Sequence, residues 1–262
     1  MSVQLYSVRE ALAADLDGTL ARLAGLGLRN VEAFDFVRRA PELAAALRAV
    51  GLAAPTGHAT LLSRELRFGD TVVPVPPLDE TFAAAKELGL DVVIDAFVPP
   101  ARWADETEIA RTAELLNEAA DAASAYGLRV GYHNHAHEFA HQFGGTSAFE
   151  LFAGRLADGV TLEVDVYWAH VAGQDVPALL RRLGERVVAI HVKDGFGGGD
   201  PFSAEGAQFD QRAAGQGGVP LAGILDAASS VSYDVIEFDQ YAGDIFDGIA
   251  QSVAFLNERG IR

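Results

Sequence analysis

The chain has 262 residues and a mass of 27.7 kDa, half of them hydrophobic and 22% charged, a composition that buries a large core and fits neither a disordered nor a fibrous chain. Twenty Lys and Arg against 37 Asp and Glu leave a net charge of -17, the wrong sign for a surface that displaces counterions from nucleic-acid phosphates. With no cysteine, disulfides and thiolate-bound zinc are excluded, so a metal would have to rest on His, Asp, Glu or Asn. No apolar run reaches the roughly 20 residues that span a bilayer, and Met1-Ser2 leads directly into Val-Gln-Leu-Tyr without a signal-peptide pattern. The expectation is a cytoplasmic protein with a small-molecule partner, no nucleic acid and no membrane, compatible with a homo-oligomer.

Along the chain a short β-type run is followed by an Ala/Leu-rich helical stretch, and the pair recurs from end to end. The strands are expected near Val3 (VQLYSV), Asn30 (NVEAF), Leu52 (LAAPTGH), Asp91 (DVVIDAF), Arg129 (RVGYHNH), Thr161 (TLEVDVY), Val187 (VVAIHVKD) and Tyr233 (YDVIEFD). Helices are expected over 16–26, 41–50, 78–88, 106–125, 148–156, 176–183, 221–228 and 245–257, where apolar residues recur at three- and four-residue spacing. Gly27, Gly51, Gly89 and Gly127 stand where helices should stop, because glycine takes the left-handed cap conformation cheaply. Eight strands alternating with eight helices, without a Gly-rich turn after the first strand, point to α/β architecture as a closed (β/α)8 TIM barrel in one domain over 1–262, with an open α/β sheet as the competitor. Residues 61–77, with three prolines, and 195–218, with Gly197-Gly198-Gly199, break the rhythm and are expected to be long loops over one barrel mouth.

Reacting groups in such a barrel come from the C-terminal strand ends. Here those ends carry Glu32, His58, His133-Asn134-His135, Asp165, His191 with Lys193, and Glu237. Carboxylates and imidazole from successive strands make a ligand set for Mn²⁺, Co²⁺, Mg²⁺ or Zn²⁺, so Asp165, His191 and Glu237 are the candidate ligands. Strand alternation puts His133 and His135 on one face, and His133 can complete the sphere. One divalent ion per chain is expected, no other donors being spaced for a second. Glu163 shares the face of Asp165 and stays unassigned, a buried Lys or Arg being its expected partner. His137 and His141 read as loop residues, and Trp168 and Tyr6 as aromatics at strand ends that could stack on a ring.

Five segments in order, QLYSVRE, YHNHAHEF, LEVDVYWAHVAG, IHVKD and VIEFDQ, carry a resemblance to the sugar phosphate isomerase/epimerase family of the xylose isomerase-like TIM barrels, over essentially the whole chain. The resemblance implies metal ligands at Asp165, His191 and Glu237 and a substrate-facing Lys193. Where ketose 3-epimerases of that superfamily carry a fifth-strand Glu, this chain has His133. A His-rich fifth strand resembles the inosose dehydratases and proteins acting on 3-keto-sugars, so a dehydratase or hydratase of a keto-sugar or keto-inositol is the alternative. The chain departs from the endonuclease-IV-type branch, because Trp168 stands three residues after Asp165 and no Asp-x-His follows His191 before Glu237.

The expected chemistry is isomerisation or epimerisation of a sugar or sugar phosphate by proton abstraction beside a carbonyl, through an enediolate. Glu237 is then base and ligand, His133 or Glu138 the opposing acid/base, and Lys193 the cation near the developing oxyanion. His58, Glu32, His135 and Trp168 are the expected substrate contacts. A non-catalytic sugar-binding barrel is the third reading, disfavoured because it has no need of the ligand set.

Overall fold

In a computed structural model, which describes residues 1–69, 71–203 and 208–262, eight strands line the centre: β1 Ser2–Val3, β2 Asn30–Ala33, β3 Ala53–His58, β4 Val92–Asp95, β5 Arg129–His133, β6 Thr161–Asp165, β7 Val187–Val192 and β8 Tyr233–Ile236. Every pairing among them is parallel, in the order β1-β8-β7-β6-β5-β4-β3-β2. A bridge between Gln4 and Glu32 joins the two ends, so the sheet closes on itself. Around it stand α1 Leu16–Gly25, α2 Ala40–Val50, α3 Leu78–Leu88, α4 Glu106–Ser124, α5 Ala148–Ala153, α6 Val176–Leu183, α7 Leu221–Ala227 and α8 Ile245–Asn257. This is the expected (β/α)8 barrel, α/β and one domain.

Strands such as Val-Val-Ile in β4 are buried on both faces because helices cover the outside and side chains fill the inside. The longest helix, α4, opens on the Asp105 side chain, which accepts the amides of Thr107 and Glu108, as an N-cap does. Its Ile109, Ala113, Leu116 and Ala123 are buried, one stripe at helical spacing turned to the barrel. Gly51 and Gly89, at φ 73° and 86°, end α2 and α3 in the left-handed region.

The structure departs from the sequence reading in three places. After Val3 the first strand gives way to a 3-10 turn over Leu5–Val8 and a helix over Arg9–Ala14, because the Gln4 carboxamide accepts the Tyr6 amide and turns the chain. The two expected loops contain antiparallel hairpins, Glu65–Phe68 with Thr71–Pro74 and Asp194–Gly198 with Gln208–Arg212. Past Asp165 the apolar run Val-Tyr-Trp is a helix, Val166–Val171, since the Asp165 carboxylate caps it through the Trp168 amide.

Candidate active site

Side chains two residues apart on a strand point the same way, so Glu163 and Asp165 of β6 form two successive layers inside the barrel. In register, Glu163 stands beside His133 of β5 and Asp165 beside His191 of β7. Glu32, His133, Glu163, Asp165, His191, Lys193 and Glu237 are all buried. The centre of this barrel is therefore a column of ionisable groups, where most barrels are packed with branched apolar residues.

In the upper layer one donor atom each from His133, Asp165, His191 and Glu237 lies within 4.8 Å of the others. His191 Nδ1 is 2.7 Å from Glu237 Oε2, and His133 Nε2 is 3.9 Å from Asp165 Oδ2. Lys193 reaches in from the end of β7, with Nζ 2.6 Å from Glu237 Oε2, 2.9 Å from Asp165 Oδ2 and 2.9 Å from Asp239 Oδ2. The contact to Asp165 is an ion pair outside hydrogen-bond geometry, so Asp165 Oδ2 has no hydrogen-bond donor. Two imidazoles and two carboxylates, one of them with a buried oxygen that accepts no hydrogen bond, fit a divalent ion of the Mn²⁺ to Zn²⁺ series.

Beneath lies a layer the sequence reading assigned elsewhere. His58 Nε2 stands 2.7 Å from Glu163 Oε2 and 3.0 Å from Glu32 Oε1, His191 Nε2 stands 2.7 Å from Glu32 Oε1, and His133 Nδ1 stands 3.0 Å from Glu163 Oε2. With His191 Nε2 also 3.0 Å from its Oε2, Glu163 thus meets three histidines in place of the expected Lys or Arg. Glu32, expected as a substrate contact, is a fully buried member of this layer, held also by the Gln4 amide at 2.7 Å. Glu32 Oε2 and Glu163 Oε1 have no hydrogen-bond partner, and each unfilled buried acceptor costs about 1–3 kcal/mol.

Electrostatics follow the layers. Burial opposes the His58 imidazolium, but Glu32 and Glu163 overrule it and raise its pKa to about 10. Burial and the Glu32 charge oppose ionisation of Glu163, yet His191 and His58 bring it down to about 2. Burial pushes Asp165 up to about 6 against the pull of Lys193 and His191. Glu237 is held well below the usual carboxylate range because Lys193 and His191 outweigh its burial. Desolvation and the Lys193 charge push His135 down to about 3.

A cleft of about 280 Å³ opens above the upper layer, lined among others by Tyr6, Phe34, His58, Phe97, His133, His135, Glu237 and Asp239. Its aromatic wall is Tyr6 set edge-on against Phe34 at 5.0 Å, with Phe97 packed near His135 at 6.2 Å. Trp168 is absent from this lining; it packs on Phe209 at 4.6 Å and against His135 at 5.9 Å, because it lies in the helix Val166–Val171 that follows β6. Glu138 is also displaced from its expected place. Its carboxylate takes the Tyr132 hydroxyl at 2.8 Å and the His135 amide at 2.9 Å, on the opposite face of β5 from His133, so it shapes the His135 turn. His137 bonds the Val98 carbonyl at 2.9 Å, and His141 is exposed.

Two participants escaped the sequence reading. Asp239 lies two residues past Glu237 on the same face, a spacing legible in VIEFDQ, and pairs with Lys193. Gln211 donates to Asp239 Oδ2 at 2.7 Å and accepts the Asp239 amide at 2.8 Å; it sits on a hairpin inside a segment read as loop, which left no signal.

No curated protein sequence matches the chain. Among solved structures, a sugar phosphate isomerase/epimerase from Parabacteroides distasonis is 25% identical with a TM-score of 0.76, over 98% of this chain and 92% of its own. The probable 3-DHS dehydratase AsbF from Bacillus anthracis superposes at 0.72 with 12% identity, over 98% of both chains. The IOLI protein with a binding zinc atom superposes at 0.68 with 17% identity, over 99% of this chain and 96% of its own. Residues 20–258 match the family model, and the chain belongs to the xylose isomerase-like TIM barrel family.

Proposed function

We propose that the protein is a metal-dependent sugar isomerase or epimerase that removes a proton from a carbon beside a carbonyl. The observation that carries this reading is the convergence of His133, Asp165, His191 and Glu237 at the barrel mouth, with His133 and Glu237 also lining the cleft. Those four residues would hold one ion of Mn²⁺, Co²⁺, Mg²⁺ or Zn²⁺. Bound there, it supplies Lewis acidity that lowers the cost of negative charge on substrate oxygens.

Glu237 reaches the cleft with its carboxylate ionised, ready to take the proton from carbon and return it. Lys193 keeps a positive charge beside it, which favours negative charge developing on the adjacent substrate oxygen. Tyr6, Phe34 and Phe97 offer ring faces to the apolar side of a sugar and exclude water from it. The similarity to an isomerase/epimerase at 25% identity supports the same class.

One observation favours a second reading, loss of water from a keto-sugar or keto-inositol. From β5 and the turn after it, two imidazoles, His133 and His135, face the cleft, where a second carboxylate base would serve an epimerase. A neutral ring there could hold the β-hydroxyl by a hydrogen bond while Glu237 takes the α-proton and hands it to that hydroxyl, and water would leave with the double bond formed.

Incubating the Mn²⁺-loaded protein with ketoses and 3-keto-sugars in deuterated water, followed by NMR, tests both readings. Deuterium at the α-carbon with an isomeric product supports the first reading, and an unsaturated ketone the second. Loaded protein that exchanges no proton on any of them overturns the proposal.

A further inference from the structure

The lower layer of the barrel column is unused by the proposed reaction. We infer that Glu32, His58 and Glu163 form a second divalent-cation site, stacked beneath the first, whose histidines hydrogen-bond its carboxylates. The inference stands apart from the sugar chemistry, since it concerns only what the buried donors hold.

Three observations carry it. Donor atoms of His58, His133, Glu163 and His191 lie within 4.8 Å of one another, the same closeness as in the upper set. Glu32 and Glu163 are both fully buried, and each ends in the layer with one oxygen that no donor meets, Oε2 of Glu32 and Oε1 of Glu163. Buried polar atoms are normally satisfied, and a cation is a partner that two carboxylate oxygens can share. The charges also match: without an ion the His58 imidazolium offsets part of the carboxylate charge, and an ion on His58 Nε2 would take the place of that proton, its two charges neutralising the two carboxylates.

The shared rings divide cleanly between the layers. His191 presents Nδ1 to Glu237 above and Nε2 to Glu32 below, and His133 presents Nε2 toward Asp165 and Nδ1 to Glu163. A neutral imidazole has one lone pair to give, so a ring that ligates above keeps an N–H for the carboxylates below, in the manner that orients metal-bound histidines. The lower ion then rests on His58 Nε2 and the carboxylates of Glu32 and Glu163, whose open oxygens complete its sphere. Its way in is His58, which lines the cleft. Mixed imidazole and carboxylate donors select Zn²⁺, Mn²⁺ or Co²⁺ over Ca²⁺.

The full-length protein, stripped with chelator and reloaded with Mn²⁺, is passed through gel filtration and its metal counted. Two ions per chain are expected, with an electron paramagnetic resonance spectrum broadened by coupling between near neighbours. Glu163→Gln and His58→Gln should each leave one ion and restore the spectrum of isolated Mn²⁺, while Asp165→Asn should leave the other. The parent count needs no variant, and circular dichroism checks that each variant folds. A parent that stops at one ion, lost in Asp165→Asn and kept in Glu163→Gln, overturns this inference and leaves the proposed function standing. One ion lost only in Glu163→Gln supports the lower site and overturns the upper. No ion at all overturns both.

Discussion

Lys193 is a residue only 1% exposed, its ammonium group surrounded by Asp165, Glu237 and Asp239. Taking such a charge out of water costs several kcal/mol, offset here by three carboxylates that burial would otherwise strand. Lys193→Met keeps the stem and removes the charge. It is expected to lower the stability of the metal-free protein by about 3–5 kcal/mol at pH 7 in urea unfolding, the usual cost of breaking a buried pair. A loss under about 1 kcal/mol would mean that the carboxylates find other partners.

The same column sets the pH dependence of the metal-free protein. Glu163 has a depressed pKa of about 2, so its contribution is present above the ordinary carboxylate range, near 4.5, and is lost as pH falls from there toward 2. His58 has a raised pKa of about 10, so its contribution is complete below about 6.5 and is lost as pH rises from there toward 10. Asp165, raised to about 6, favours its protonated form and adds a smaller loss as pH climbs from about 4 to 6. Urea midpoints measured in chelator from pH 2 to 10 should therefore fall at both ends, and Glu163→Gln should flatten the acid limb. An unchanged acid limb in that variant would place the acid-sensitive group elsewhere.

At the scale of elements, the hairpin after β7 holds the site's outer wall. Asp194 gathers four backbone amides, from Gly195, Gly215, Gly217 and Val219, at 2.8–3.0 Å. A Cβ at Gly217 would run into that carboxylate and the Gly195 backbone, which is why glycine stands there. Asp194→Ala strands those donors and is expected to raise hydrogen–deuterium exchange at Gly215, Gly217 and Val219 by at least about tenfold, with exchange in β4 unchanged. Equal protection in both proteins would show that the hairpin stands without the carboxylate.

Strands, helices and glycine stops were legible because their signals are periodic or local: an apolar run, a 3.6-residue stripe, a Gly after a Leu. The hairpins were hidden by glycine and proline, which mark turns equally well in loops and in short antiparallel pairs. The helix at Val166–Val171 was hidden because Val-Tyr-Trp reads as strand until the Asp165 cap is seen. Among site residues, the upper donors announce themselves by standing at strand ends. In the second layer Glu32 and His58 also stand at strand ends and read as substrate contacts, whereas Glu163 looks like any polar residue in a strand until the barrel closes and turns it toward His58.

For the molecule as a whole, the fold gathers seven buried ionisable side chains from β2, β5, β6 and the ends of β7 and β8 along one axis. The net charge of -17 surrounds this column with a field that favours cations. None of the described helices is long and apolar enough to cross a membrane. Glu237 is proposed to take the substrate proton while its neighbours hold the ion. The direct measurement is solvent-deuterium exchange at the substrate α-carbon in Glu237→Gln and His133→Ala, each with its metal content determined. Glu237→Gln should keep some metal and lose at least about a hundredfold in exchange rate, the scale of a missing general base, whereas His133→Ala should lose metal or only one direction of transfer. Near-parent exchange in Glu237→Gln, with none in a metal-replete His133→Ala, would contradict that assignment and move the base to β5.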